Sequence, residues 1–222
     1  MKKKTLVSWS SGKDCAWALQ VLRQDPNYEV IGLFSVLSEP TDRIAMHTTR
    51  KALIDRQAQA IGLPVHYAYL PQAPCSNEVY ESVMRQAVAE FKSLSIECMA
   101  FGDLFLEDIR AYRESKMAGT GIEVIFPLWN QPTGQLMASM LEAGLETYIS
   151  SVDLKALPAS CAGKKLTAEL VASFPEGVDP CGENGETHTI VVNGPMFAER
   201  IEIELGEVTV RDGYAYADLI PR

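Results

Sequence analysis

Thr5-Leu6-Val7-Ser8-Trp9-Ser10-Ser11-Gly12-Lys13-Asp14-Cys15 passes from an apolar, β-branched start into small hydroxylated residues, one glycine and a lysine–aspartate pair. A helix-favouring stretch, Ala16-Trp17-Ala18-Leu19, follows at once. Strand, tight turn and helix start in that order make an anion site. The first helical turn leaves backbone N–H groups unpaired and aimed at the turn, and small side chains let an oxyanion approach them. Lys13 adds a full positive charge. Ser8, Ser10, Ser11, Gly12, Lys13, Asp14 and Cys15 are therefore candidate contacts for a polyphosphate. A plain Ser/Gly helix cap uses the same residue types. A Walker loop is excluded, because Val7 stands where its first glycine belongs and Asp14 follows the lysine. The dinucleotide fingerprint is excluded too, since it needs three glycines and only Gly12 is present.

A second reactive stretch lies far away, at Asp179-Pro180-Cys181-Gly182-Glu183-Asn184-Gly185-Glu186-Thr187-His188-Thr189. Glycines, carboxylates and a histidine crowd a segment bounded by a proline and a strand-like run. Glu183, Glu186 and His188 are candidates for acid–base work or substrate positioning. Alternation along Glu186-Thr187-His188 would put Glu186 and His188 on one side. A long acidic turn is the plainer reading. A metal at His188 lacks any zinc-type spacing.

The elements that must position these groups follow from hydrophobic period. Helical patterns cover about Lys13–Arg23, Thr49–Ile61, Asn77–Leu94, Asp108–Ala118 and Pro132–Ala143, with a short one inside Lys164–Ser173. Strand patterns cover Glu29–Leu37, Val65–Leu70, Ile96–Phe101, Glu123–Leu128 and Glu146–Val152. The near-continuous apolar run Val-Ile-Gly-Leu-Phe-Ser-Val-Leu suits a strand buried on both faces of a parallel sheet. Regular alternation of strand and helix predicts right-handed βαβ units in an α/β fold, with helices on both faces of the sheet. Residues 1–152 then form the nucleotide domain. Residues 153–222 form a smaller lobe, part antiparallel, at the sheet's edge, with strands at Thr187–Val192, Arg200–Leu205, Glu207–Arg211 and Tyr214–Leu219 and a hairpin at Asp212-Gly213.

Ligands of such a sheet sit beyond the carboxyl ends of its strands. There the sequence offers Ser35, with the backbone of Phe34–Val36 for an adenine edge, then Arg43 and His47 for ribose or phosphate. His47 serves equally as a helix cap or surface histidine. Gly102 permits close backbone approach to an α-phosphate, Asp103 can bind Mg²⁺ or an attacking group, and Arg110 can neutralise phosphate charge. A solvated helix face linked by i,i+3 and i,i+4 ion pairs accounts for most of the charges from Glu107 to Lys116.

Composition narrows the class. The chain has 222 residues, 47% hydrophobic and 22% charged, as a globular protein does. No apolar run approaches the roughly 18 residues of a membrane helix, and the Lys2-Lys3-Lys4 start lacks a signal-peptide core. Five widely spaced cysteines with no C-x-x-C pair argue against disulfides or zinc and for a reducing cytoplasm. A net charge of −9 weighs against a nucleic-acid surface and, with the missing cysteine pair, against tRNA thiolation.

Ser10-Ser11-Gly12-Lys13-Asp14-Cys15 resembles the Ser-Gly-Gly-x-Asp-Ser loop of the ATP pyrophosphatases, with Ser11 for a glycine and Cys15 for a serine. Asp179–Thr189, followed by Asn193-Gly194-Pro195-Met196-Phe197, resembles the C-terminal signature of the diphthine–ammonia ligase family. Met46-His47-Thr48 and Phe126-Pro127-Leu128-Trp129 are similar to two further family segments, so the likeness spans the chain in order. It implies a Rossmann-like ATP-binding domain with a substrate lobe. It also implies a ligase that uses ATP, with Mg²⁺ placed by Asp14, to adenylate a carboxylate and amidate it with ammonium, giving AMP and pyrophosphate. The acceptor it implies is diphthine, a modified histidine on translation elongation factor 2, or a related carboxylate. Asp108-Ile109-Arg110 keeps only the arginine of an expected Tyr-Gln-Arg, which marks a divergent branch. The residues alone also suit a nucleotide-binding module without turnover, and they leave a homodimer open.

Overall fold

The structure, a computed structural model, describes residues 1–44, 47–72 and 75–222. A parallel five-stranded sheet is built from β1 (Lys3–Ser8), β2 (Tyr28–Ser38), β3 (Val65–Leu70), β4 (Cys98–Ala100) and β5 (Glu123–Ile125). Their order is β3-β2-β1-β4-β5, every pair parallel. β1 runs outward to β2 and β3, then the chain crosses back to β4 and β5. The order therefore reverses between β1 and β4, which is where doubly wound sheets bind ligands.

Right-handed crossovers put α1 (Lys13–Gln24) and α2 (Lys51–Ile61) on one face. They put α3 (Asn77–Ser93) and α4 (Glu107–Met117) on the other. Core composition agrees. Ala16, Leu19, Leu22, Ile54 and Ala58 pack with Val7 and Leu33, whereas Phe91 and Met117 pack with Leu6, Phe34 and Met99 on the opposite face. β2 supplies both clusters because it is apolar on both sides, as expected of a central parallel strand. The Phe34 and Phe91 rings meet edge-on, with centroids 4.9 Å apart.

β6 (Glu146–Asp153) departs from the sequence expectation of a sixth parallel strand. It follows α5 (Thr133–Glu142) but pairs antiparallel with β7 (Thr187–Asn193) and β9 (Tyr214–Pro221), in a second sheet that β8 (Ile203–Arg211) completes in the order β7-β6-β9-β8. The period of an apolar strand names its buried faces but not its neighbour. The two runs at Arg200–Leu205 and Glu207–Arg211 are likewise one strand, β8 (Ile203–Arg211), with a register shift between Leu205 and Val208. The Asp212-Gly213 turn is as expected, both residues having positive φ (52° and 82°), the type I′ requirement. α6 (Ala168–Ala172) is the short helix of the connecting segment, capped by the Thr167 hydroxyl.

The second sheet packs on the α1–α2 layer. Ile190, Val192 and Leu219 meet Leu53 and Ala60 of α2, and Val191 joins the cluster around α1. Gln57 bolts the layers together. It is fully buried on the apolar face of α2, accepts from Trp9 Nε1 (2.8 Å) and donates to the carbonyls of Ser11 (3.0 Å) and Val191 (2.7 Å). Among the described residues no helix is long and apolar enough to cross a membrane. Replacing Gln57 by Leu keeps the volume but strands buried partners, and we expect a loss of about 2–4 kcal/mol in urea-induced unfolding.

Candidate active site

Local chemistry makes the first turn of α1 tight. Ser11 takes a left-handed conformation (φ 73°), and Gly12 caps α1 in extended conformation without a side-chain bond. Its Cβ position would lie 3.1 Å from the Thr189 carbonyl oxygen and 3.3 Å from His47 Cε1, so glycine is needed for space. Neighbours hold the loop from three sides. Trp9 N donates to the Phe34 carbonyl (2.7 Å), Ser35 Oγ donates to the Trp9 carbonyl (2.7 Å), and the Ser11 and Thr49 hydroxyls bond each other (2.6 Å). From β7, Val191 N donates to the Ser11 carbonyl (2.9 Å) and Thr189 Oγ1 accepts from the Lys13 amide (3.2 Å). Ser10 and Cys15 bond side chain to side chain, and the Cys15 thiol also donates to the Gly12 carbonyl (3.0 Å).

Gly102, directly after β4, is pressed against the start of α1. A Cβ there would sit 2.8 Å from the Asp14 carbonyl carbon and 2.9 Å from Cys15 N. The strand β4 exit and the Ser10–Asp14 loop are thus in van der Waals contact at the point where the strand order reverses.

The Asp179–Glu186 loop closes over this junction. Asp179 Oδ2 accepts from the amides of Cys181 (3.1 Å) and Glu183 (3.0 Å), while Glu186 Oε1 accepts from Asp179 N (2.9 Å) and Asn184 Nδ2 (3.0 Å). Gly182 has φ 69° and lies so close to Thr187 that a side chain would collide with its hydroxyl. The folded loop presents its Cys181 carbonyl to Lys13 Nζ, which also bonds Asp14 Oδ2 (2.8 Å). Glu183 Oε1 accepts from Leu104 N (2.7 Å), beyond β4.

The electrostatics follow from burial. Burial works against the Lys13 ammonium, but Asp14, with Glu183 behind it, carries the balance above the ordinary lysine value. Burial also raises Asp14, against the pull of Lys13. Its Oδ1 is buried and, among the described residues, has no hydrogen-bond partner. Glu183 is pushed up to about 7, chiefly by burial, with the Leu104 amide pulling back and Asp14 and Asp103 repelling its charge. His47 and His188 lie with ring centroids 4.6 Å apart. Burial lowers His188 to about 4, helped by Lys13. Burial, His188 and Lys13 lower His47 to about 3 against the carbonyl of Thr189. Both imidazoles are neutral acceptors at physiological pH.

Not every sequence candidate lies at this junction in the same way. Ser8 lines a cavity of about 300 Å³ with Phe34, Val36, Met99 and Phe101, opening between α3 and α4. Ser35 is beside the loop, but its hydroxyl is committed to Trp9. Asp103 forms a two-pronged ion pair with Arg113 (2.6 and 3.0 Å), which stacks over Phe101 at 4.2 Å and lines the same cavity as Ser8. Arg110 instead pairs with Glu114 (2.8 Å) and sits over Phe126 and Trp129, in a separate groove beside α1. One helical turn separates the two arginines, and only packing decides which faces the cavity. Glu186 turns back into its own loop, because β7 begins only at Thr187. Met46, of the Met46-His47-Thr48 segment, lies outside the described residues. Sequence reasoning missed Gln57, Thr49, Thr189 and Arg113. Gln57 alone left a signal, as a polar residue on the apolar face between Ile54, Ala58 and Ile61.

Residues 3–123 match the model of the diphthamide synthase N-terminal domain, and residues 132–219 match that of the diphthamide synthase C-terminal domain. The chain belongs to the diphthamide synthase family. Among its relatives, the diphthine–ammonia ligase of Rattus norvegicus is 24% identical over 214 residues, covering 90% of this chain and 78% of the relative. That of Danio rerio is 23% identical over 195 residues (81% and 76%), and that of Homo sapiens 23% over 196 residues (81% and 73%). Membership makes the protein an ATP-dependent ligase, and the five-stranded parallel sheet is the core of its Rossmann-like fold. Adding one methyl group at the tightest contact of that core tests the site. Gly102→Ala must displace the first turn of α1, and we expect ATP affinity in titration calorimetry to fall about tenfold or more while the far-ultraviolet spectrum stays native.

Proposed function

We propose that the protein adenylates a carboxylate with ATP and amidates it with ammonia, releasing AMP and pyrophosphate, on diphthine or a related acceptor. The observation that carries this reading is the closure of the Asp179–Glu186 loop onto the phosphate loop. Lys13 reaches the Cys181 carbonyl and Glu183 reaches the Leu104 amide. Groups suited to phosphate and groups suited to proton transfer thus meet at one junction. Adenosine would occupy the cavity floored by Phe34, Val36 and Phe101, with Ser8 at the phosphate side. The triphosphate would then lie over Ser10–Asp14, meeting the amides and positive end of α1.

A carboxylate cannot accept ammonia while its oxygen is the leaving group. In the first step the acceptor oxygen attacks the α-phosphorus, the bond to the β-phosphate oxygen breaks, and pyrophosphate leaves into the loop. Lys13 and the α1 amides stabilise its charge. In the second step the ammonia lone pair forms the C–N bond and AMP departs. Glu183 takes up the proton that ammonium gives up before attack, and the second proton, lost from nitrogen once the C–N bond has formed, passes to solvent. The Glu183 carboxyl, pushed up to about 7 by burial, ionises near working pH. His47 and His188, neutral and paired, would accept hydrogen bonds from the nitrogen donor or orient the acceptor.

Mg²⁺ fits the unpaired Asp14 Oδ1. Among the described residues no three His, Cys, Asp or Glu side chains are grouped to hold a metal. That suits an ion held by one carboxylate and substrate phosphates, which would neutralise pyrophosphate charge. The five free cysteines suit a reducing cytoplasm.

Incubation with ATP, Mg²⁺, ammonium and a diphthine-bearing acceptor should release AMP and pyrophosphate in equal amounts; ADP and phosphate would sink the proposal. Glu183→Gln should bind ATP like the parent yet lose about 10²–10⁴-fold in amide formation. The base must be ionised to act. The parent's kcat/KM should therefore climb as pH rises through about 7 and then level off, a limb missing from Glu183→Gln.

A further inference from the structure

The segment between β2 and α2 folds back on itself. Ser38 N donates to the Arg43 carbonyl (2.9 Å), Ile44 N donates to the Thr49 carbonyl (3.0 Å), and Arg43 and Arg50 face each other as an antiparallel bridge. Two guanidinium groups opposite one another on paired strands repel. The anion that holds them together comes from the other sheet. Asp218 of β9 accepts from Arg43 Nη1 (2.9 Å) and Arg50 Nε (3.0 Å) through Oδ1, and from Arg50 Nη2 through Oδ2. The arginines in turn draw the Asp218 carboxyl down to about 2, Arg50 by the larger share.

What the clamp encloses matters more than its charge. The same Arg43 Nη1 donates to the Thr48 carbonyl (2.8 Å), and Thr48 has a left-handed backbone (φ 54°) that its β-branched side chain disfavours. On either side of Thr48 stand His47, packed on His188, and Thr49, whose hydroxyl bonds Ser11 of the phosphate loop at 2.6 Å. A continuous path of bonded groups thus runs Asp218–Arg43–Thr48–Thr49–Ser11.

We propose that Asp218 is a positioning residue for the nucleotide site, its bridge between Arg43 and Arg50 setting His47–Thr49 against the phosphate loop. The inference rests on the reading of that loop as the triphosphate site. It gives the C-terminal strand a hold on nucleotide affinity without a contact to the nucleotide. Asp218→Asn keeps the shape and removes the charge, leaving the two arginines opposed.

Two measurements on the full-length protein test it. Titration with ATP and Mg²⁺ should show about tenfold weaker binding in Asp218→Asn, near-parent binding in Asp218→Glu, and melting temperatures within a few degrees of the parent. The chain has three histidines, so ring resonances can be followed singly by NMR. Without nucleotide, the His47 and His188 signals should move in Asp218→Asn, while that of His66, held near Glu90, stays. Should Asp218→Asn fail to fold, Arg43→Gln breaks the same path at its next member, removing both the Asp218 and the Thr48 bond, and should give the same selective shifts. Unchanged His47 and His188 signals in a folded variant overturn the clamp, as does unchanged ATP affinity. A parent that binds no ATP counts against the nucleotide site itself, and the histidine signals still decide whether the clamp exists.

Discussion

Three polar contacts between β7 and the Ser10–Asp14 loop underlie the rest of the molecule: Val191 N to the Ser11 carbonyl, Thr189 Oγ1 to the Lys13 amide, and Gln57 joining Ser11 to Val191. They are buried, where an unmade hydrogen bond costs most. They also tie an antiparallel sheet to the exit of a parallel one. The turn at Ser11 and Gly12 is held from β7 and α2 as well as by its own Ser11 and Cys15 side chains, so its geometry belongs to both sheets at once. The C-terminal part is therefore a wall of the site as well as a lobe beside it.

That shared wall explains the electrostatic pattern. Bringing the Asp179–Glu186 loop down onto α1 removes water from Lys13, Asp14, Glu183 and the two histidines together. Desolvation favours whichever form is neutral unless a partner of opposite sign is in reach. Lys13 has Asp14 and stays charged; Glu183 has like-charged neighbours and rises to about 7. His47 and His188 have Lys13 near them and each other, and stay uncharged. Positive charge is thus concentrated at one point, beneath the amides of α1, with proton acceptors around it.

Much of the fold was legible. α1, β3 and α3 start where the period and caps place them, and the Asp212-Gly213 hairpin follows from the positive φ that both residues tolerate. What failed was partnership. β6 reads correctly as a strand, but nothing in Glu-Thr-Tyr-Ile-Ser-Ser-Val-Asp says which sheet takes it. Arg110 and Arg113 occupy one helix with similar local sequence, and the cavity faces only Arg113. Ser35 sits at the expected strand end, yet its hydroxyl serves the loop backbone.

Residue order along the chain was enough to show the strand, tight turn and helix start at Thr5–Cys15, the run of βα units behind them and the reactive content of Asp179–Thr189. Those rest on local conformational preference, on alternation and on residue type, all of which are written within a few residues of one another. Tertiary structure alone decided that Lys13 points at Cys181, that Glu183 rests on the amide after β4, and that His47 meets His188. Each of those joins positions more than 75 residues apart, and long-range contact depends on how whole layers pack rather than on any local signal.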